Sequence, residues 1–328
     1  MRHSQAINKR VLSRGAAALA MLALTMGCAQ DAPVEEAEPS DITINGTRIF
    51  PESITSDAAG NLYNSSIAGV IYRTVKGATT AEPWIKPDAE NGVQSLFGVL
   101  ADDKHGTLWA CSNAPFGGPP QPDAVSSLKA FDLATGAFKA SYDMPKGPAA
   151  CNDIAVAQDG TVYATETAGG RIFALAPNGK ELTLFAAGDN LVGIDGIAFA
   201  DDGAMYINNV RDNLVQRVKR KQDGAYDGLT TLTLSEPING PDGLRPVSGN
   251  RFLQAEGPGG RVTYVDVEGD TAKITPIKDG FNSSPGVTHV GNVGYATEGK
   301  IAYMIDPALR DQDPGAFVIR AFKLPEDQ

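Results

Sequence analysis

After residue 40 the chain alternates short apolar runs with turns rich in glycine and aspartate. No stretch there keeps apolar residues at the helical i, i+3, i+4, i+7 spacing. One pattern returns: an apolar strand, an Asp-Gly or similar turn, then a second strand carrying an aromatic or apolar residue. It appears as ESITSDAAGNLYNSS from Glu52, NDIAVAQDGTVYATET from Asn152, DGIAFADDGAMYINNV from Asp195 and DGLRPVSGNRFLQAE from Asp242. A fifth copy is GVLADDKHGTLWACSN from Gly98, and a degenerate sixth is PGVTHVGNVGYATEG from Pro285. The glycines supply the positive φ that tight hairpins need.

The copies start 46, 54, 43, 47 and 43 residues apart, the period of a four-stranded propeller blade. The second half of each unit offers further strands: GVIYRTV, SLKAFDLATGAFKASYD, GRIFALAPNGKELTLFA, LVQRVKR, GRVTYVDV and KIAYMID, with AFVIRAFKL last. The pattern therefore predicts an all-β, six-bladed β-propeller with four-stranded blades over residues 42–328. Asp41 to Phe50 precede the first copy. They are expected to pair with the last blade and close the ring, because an open sheet edge is a liability. A five- or seven-bladed ring, or a sandwich pair, fits six countable starts less well.

Aligning the copies on the turn residues Gly60, Gly160, Gly203 and Asn250 gives one informative column. Eight residues earlier, at the head of the innermost strand, stand Glu52, Asn152, Asp195 and Asp242. The second copy has Gly98 there and the sixth has no polar group. Equivalent positions of successive blades ring the tunnel axis, so these side chains should converge at one mouth. Three carboxylates crowded together call for a cation. All-oxygen ligation makes Ca²⁺ the leading candidate, with Mg²⁺, Mn²⁺ or Zn²⁺ as alternatives. A second column, Glu166, Asn209, Glu256 and Glu298, returns to the same end and is expected to touch substrate. The insertion Asn113–Val125 could overhang that mouth, and His289 sits in the sixth inner strand. No nucleophile elbow or Ser/His/Asp arrangement is present.

Charge and the N-terminus sharpen this picture. Residues 1–28 read as a signal peptide: a basic start to Arg14, then the small apolar run GAAALAMLALT, too short to span a membrane. Cys28 follows Leu-Thr-Met-Gly, which resembles a lipobox with its leucine one place early, and is the expected lipidation site; cleavage after Ala29 competes. Residues 29–41 are acidic and carry no core pattern, as a flexible tether would. The chain is then exported, periplasmic or in the cell envelope, and touches membrane only through that lipid. Beyond residue 28 there are 24 basic and 39 acidic residues, a net −15 that repels phosphate backbones and excludes nucleic-acid binding. Cys111 and Cys151 are a candidate disulfide in an oxidising compartment.

From Glu52, the Asn152-Asp153 pair and Pro241-Asp242-Gly243 onward, the chain resembles the gluconolactonase and senescence-marker-protein family of six-bladed propellers, over essentially everything after residue 41. The resemblance implies a divalent cation held by Glu52 and Asp242, with Asn152 as ligand or substrate contact. The fourth-blade position, usually Asn in that family, is Asp195 here. It implies hydrolysis of a small lactone or related ester, with Asp242 or Asp195 as the base. The competing expectation is a propeller that binds a ligand or partner protein without turnover.

Overall fold

The computed structural model describes residues 38–116, 125–145 and 149–325. The expectations for the signal peptide, for Cys28, for most of the tether and for the centre of the Asn113–Val125 insertion lie outside the described residues.

The chain is all-β. Its described helices are one turn at Ala302–Ile305 and a 3₁₀ turn at Asp189–Leu191. The strands form one eight-stranded, one five-stranded and three four-stranded sheets. Within each repeat, consecutive strands pair antiparallel, as at Ile54↔Asn64 and Ile154↔Ala164. The innermost strands are Pro51–Ser56, Ser95–Asp102, Cys151–Val156, Ile194–Phe199, Pro241–Ser248 and Val287–Val290. Each packs beside its neighbours in that order, and the last returns to the first. Turns after the first, third and fourth of them repeat one geometry. Gly60, Gly160 and Gly203 hold φ of 85°, 89° and 81°, and each donates its N–H to the carbonyl three residues earlier. In the fifth copy the positive φ falls on Gly249, one residue before Asn250.

The core is distributed between sheets, because each sheet is apolar on both faces and must cover both. Every buried cluster joins consecutive repeats. Ile71 and Tyr63 of the first meet Leu96 and Phe131 of the second. Leu244 and Phe252 of the fifth meet Tyr206 and Val215 of the fourth. Ile44 and Ile54 of the first meet Phe317 and Ile319 of the last.

The N-terminal strand Ile42–Ile44 pairs antiparallel with Phe317–Lys323 (Ile42↔Ile319) and parallel with Thr80–Ile85 (Thr43↔Thr80). It thus joins the last sheet to the outer strand of the first. One sequence expectation needs correction. KIAYMID is not a strand: Ala302–Ile305 is a helical turn. Its place beside Phe317–Lys323 is taken by Ile42–Ile44, so this segment has no ladder left to join.

Candidate functional site

Five inner strands share one irregularity at their heads. The ladder slips between Pro51 and Ile54, Leu96 and Val99, Cys151 and Ile154, Ile194 and Ile197, and Pro241 and Leu244. Two residues are left out of register each time, as in a β-bulge, which re-aims side chains. The first of each two is Glu52, Phe97, Asn152, Asp195 or Asp242. The aligned column is thus one structural position in these strands, with one correction. The second copy contributes Phe97 and not Gly98, because its turn, Asp102 to Gly106, is one residue longer. Phe97 packs edge-on against Phe116 with centroids 5.8 Å apart, an aromatic wall at this end.

The second bulged residue is Ser53, Gly98, Asp153, Gly196 or Gly243, and Gly286 stands just before the sixth strand. The glycines allow close approach. A Cβ on Gly98 would stand 2.1 Å from the Asn152 carbonyl oxygen, and one on Gly196 2.4 Å from that of Asp242. The bulge also frees amides, and side chains of the second strands accept them. Ser53 N–H donates to Ser65 Oγ, Asp153 N–H to Thr165 Oγ1, Gly196 N–H to Asn208 Oδ1 and Gly286 N–H to Thr297 Oγ1. Sequence reading missed both layers. The signal was present in the residue after each ligand position and in the polar residue between Ala164 and Glu166 and its equivalents.

Glu52, Asn152 and Asp195 are buried, while Asp242 keeps part of its surface open. Asn152 Nδ2 donates to Asp195 Oδ2 at 2.9 Å and to Thr167 Oγ1 at 2.8 Å. Its donor end is spent, and the carbonyl end is left to meet a ligand. Asp195 Oδ1 is buried with no hydrogen-bond partner. The Asp242 carboxyl lies beside it, and the two can bond only when one of them carries a proton; their contact favours the proton on Asp195, raising that carboxyl and lowering Asp242. Burial pushes all three carboxyls well above their ordinary range. The Asp195 and Asp153 charges add to this at Glu52, those of Asp242 and Asp153 at Asp195, and that of Glu52 at Asp242.

Beneath them Arg245 forks onto Asp153, Nη1 to Oδ2 at 2.7 Å and Nη2 to Oδ1 at 2.9 Å. Four carboxyls thus face one guanidinium, so ionising all of them would leave three negative charges without a partner, and only an added cation or protons can offset that. Among the described residues no three His, Cys, Asp or Glu side chains converge into a ready metal shell. The donor chemistry nonetheless fits a hard cation: oxygens only, buried, with Asp195 Oδ1 unsatisfied.

The second column does return to this end, but its side chains turn to the loops. Glu166 accepts from the amides of Ala150, Ala168 and Gly169 and from Arg171 Nε. Glu256 accepts from Asn239 N–H and Arg261 Nε, and Glu298 from Arg320. Asn209 Oδ1 accepts from Arg211 and Asp212 N–H, and its Nδ2 donates to Val192 O. These four fasten the chain between strands. His289 and His105 sit toward the turn ends of their strands, bonded to Gly291 O and to Asp102. Cys111 and Cys151 are disulfide-bonded, tying the second repeat to the residue before Asn152.

A hollow of about 500 Å³ opens at the head end of the first two inner strands, lined by Phe50, Ile67, Ser95, Phe116, Met304 and Arg310. A second of about 430 Å³ lies toward the turn ends, with Arg245, Ala155 and His105 in its wall.

The sequence model described as the SMP-30/Gluconolactonase/LRE-like region matches residues 50–284. No curated protein matches the chain in sequence. Among solved structures, the major allergen Mala s 1 of Malassezia sympodialis aligns with TM-score 0.63 at 14% identity, over 88% of this chain and 97% of its own. A luciferin-regenerating enzyme aligns at 0.61 and 13%, over 87% and 96%. Virginiamycin B lyase from Staphylococcus aureus aligns at 0.55 and 15%, over 79% and 95%. At these identities the likeness concerns the propeller-type fold.

Proposed function

Because the chain belongs to the SMP-30/gluconolactonase/LRE-like family, we propose that it is a metal-dependent hydrolase of a small lactone or related ester. The observation that carries this reading is the cluster of three buried carboxyls on the bulged strand heads, with Asp195 Oδ1 unsatisfied. Glu52, Asn152, Asp195 and Asp242 would hold one divalent cation, Ca²⁺ first among the candidates. When bound, such a cation polarises an ester carbonyl and acidifies water. Asp242 is the base in this reading, since it is the one residue of the four that is not fully buried. Asp195 is locked by Asn152 and serves to position. Phe97 and Phe116 offer the substrate ring an apolar wall that keeps water from its far face.

The architecture behind this reading is a ring of six blades. The eight-stranded sheet counts as two, joined through Ile42–Ile44. The Cys111–Cys151 bridge agrees with export to an oxidising compartment.

One observation favours a second reading. The Asp195 and Asp242 carboxyls lie within hydrogen-bonding range of each other. They could share a proton in a propeller that binds a ligand and turns nothing over.

A lactone and ester panel with Ca²⁺, Mg²⁺, Mn²⁺ and Zn²⁺ decides between them, run beside Glu52→Gln and Asp242→Asn. Cation-dependent turnover lost in both variants is expected. Tight cation binding with no turnover on any substrate would sink the hydrolase reading.

A further inference from the structure

Arg245 lies in the fifth inner strand, three residues past Asp242, with its side chain 5% exposed. Its guanidinium reaches across the tunnel. Beyond the two bonds to Asp153, Nη2 donates to Ser53 Oγ at 3.2 Å and to Val99 O at 3.3 Å, and Nη1 to Leu244 O at 2.9 Å. Asp153 Oδ2 also accepts from Ile197 N–H at 3.2 Å. One planar cation is thus tied, directly or through Asp153, to the inner strands of the first five repeats.

The layer around it has been emptied for it. The bulged position below the expected ligand column is glycine in the second, fourth and fifth strands, and Gly286 stands just before the sixth. Only Ser53 and Asp153 carry side chains there, and both bind Arg245. Every partner of the guanidinium is an oxygen: two carboxylate, one hydroxyl and two backbone carbonyls. That is the donor set a hard cation takes. Arg245 also feels the Glu52 and Asp242 charges above it.

We infer that Arg245 occupies a second cation position of the tunnel, a tethered charge in an oxygen nest one layer beneath the Glu52, Asp195 and Asp242 ring. It rests on the proposed reading in one respect, that the ring above takes a single divalent ion. The arrangement makes Arg245 a positioning residue. It neutralises Asp153 and, through that fork, fixes the strand head that carries Asn152. Without the guanidinium, Asp153 would become a fourth uncompensated buried carboxylate, and the nest would take a divalent ion in its place.

Calcium titration by calorimetry tests this on the full chain, with Arg245→Met, Arg245→Lys and the Arg245→Met/Asp153→Asn double variant. One Ca²⁺ per chain is expected for the parent and for Arg245→Lys. Two are expected for Arg245→Met, and one again for the double variant. Arg245→Met should also depend on the ion for folding, with a melting temperature that falls further on chelation than the parent's. A stoichiometry of one for Arg245→Met overturns the inference. So does an Arg245→Met chain that no divalent cation restores to a folded state. A parent that binds none beside an Arg245→Met that binds one would remove the ring as a cation site and leave the tethered charge standing.

Discussion

A Cβ built on Gly286 would stand 2.9 Å from the carbonyl oxygen of Glu52, so the sixth inner strand meets the first at a distance only glycine tolerates. A Cβ on Gly98 would come closer still, 2.1 Å from the Asn152 carbonyl oxygen. Backbone is the obstacle in both cases, and it cannot rotate aside. Gly98→Ala should therefore lower stability by about 3 kcal/mol or more, at the upper end of overpacking costs. Gly77→Ala, at φ 81° with no atom near its Cβ, should lose only about 1 kcal/mol from backbone strain. Urea midpoints of the two variants check the contrast.

Removal of the cation should make stability depend on pH in one direction. Glu52, Asp195 and Asp242 have folded-state values raised above their ordinary 4.5, 3.8 and 3.8. The folded protein then binds protons that the unfolded chain has released. Their contribution is fully present below the ordinary values and is lost as pH rises from there through the raised folded values. In chelator, the melting temperature should fall as pH climbs from about 4.5 toward neutrality. Saturating Ca²⁺ should flatten that slope, and a chelated protein that gains stability over this range would contradict it.

Asp195→Asn removes one negative charge from the ring while keeping an oxygen in place. Calcium affinity should drop by about tenfold or more, since ligand charge sets affinity at such sites. The chelated variant should melt higher than the chelated parent, because one buried like-charge contact has gone. Calorimetry and melting in chelator read the two effects separately.

The Cys111–Cys151 bridge closes a loop with a sequence separation of 40. Replacing both cysteines with serine should cost about 3 kcal/mol, by release of the unfolded chain. Asn113 also holds Cys151, through its amide to both Cys151 N–H and C=O. The strand head should therefore stay in place, and calcium affinity should change less than stability does.

Much of this was legible before the fold was seen. The repeat period, the hairpin turns and the shared strand-head position of Glu52, Asn152, Asp195 and Asp242 follow from local chemistry that each copy repeats. The errors have local causes too. One extra residue between Asp102 and Gly106 moved the second copy's ligand position from Phe97 to Gly98. KIAYMID alternates like a strand, and only the pairing partner taken by Ile42–Ile44 decides against it. Glu166, Asn209, Glu256 and Glu298 recur at the expected end, and their bonds to loop amides and arginines depend on loop geometry that the repeat pattern does not encode. Arg245 was invisible because its repeat equivalents, Thr55, Ala155 and Ala198, are unlike it. Its meaning comes from partners 92 and 192 residues away.

Ile42–Ile44 is hydrogen-bonded to a strand that ends at Lys323. The earliest-made strand of the domain is thus among the last to find its full set of partners. During synthesis, which runs from the N-terminus, it waits through some 270 residues with one edge unpaired, and long-range pairing of this kind is slow and exposed to aggregation. Truncation at either end therefore strips the same joint, and a chain shortened before Phe317 should behave as an unfinished fold.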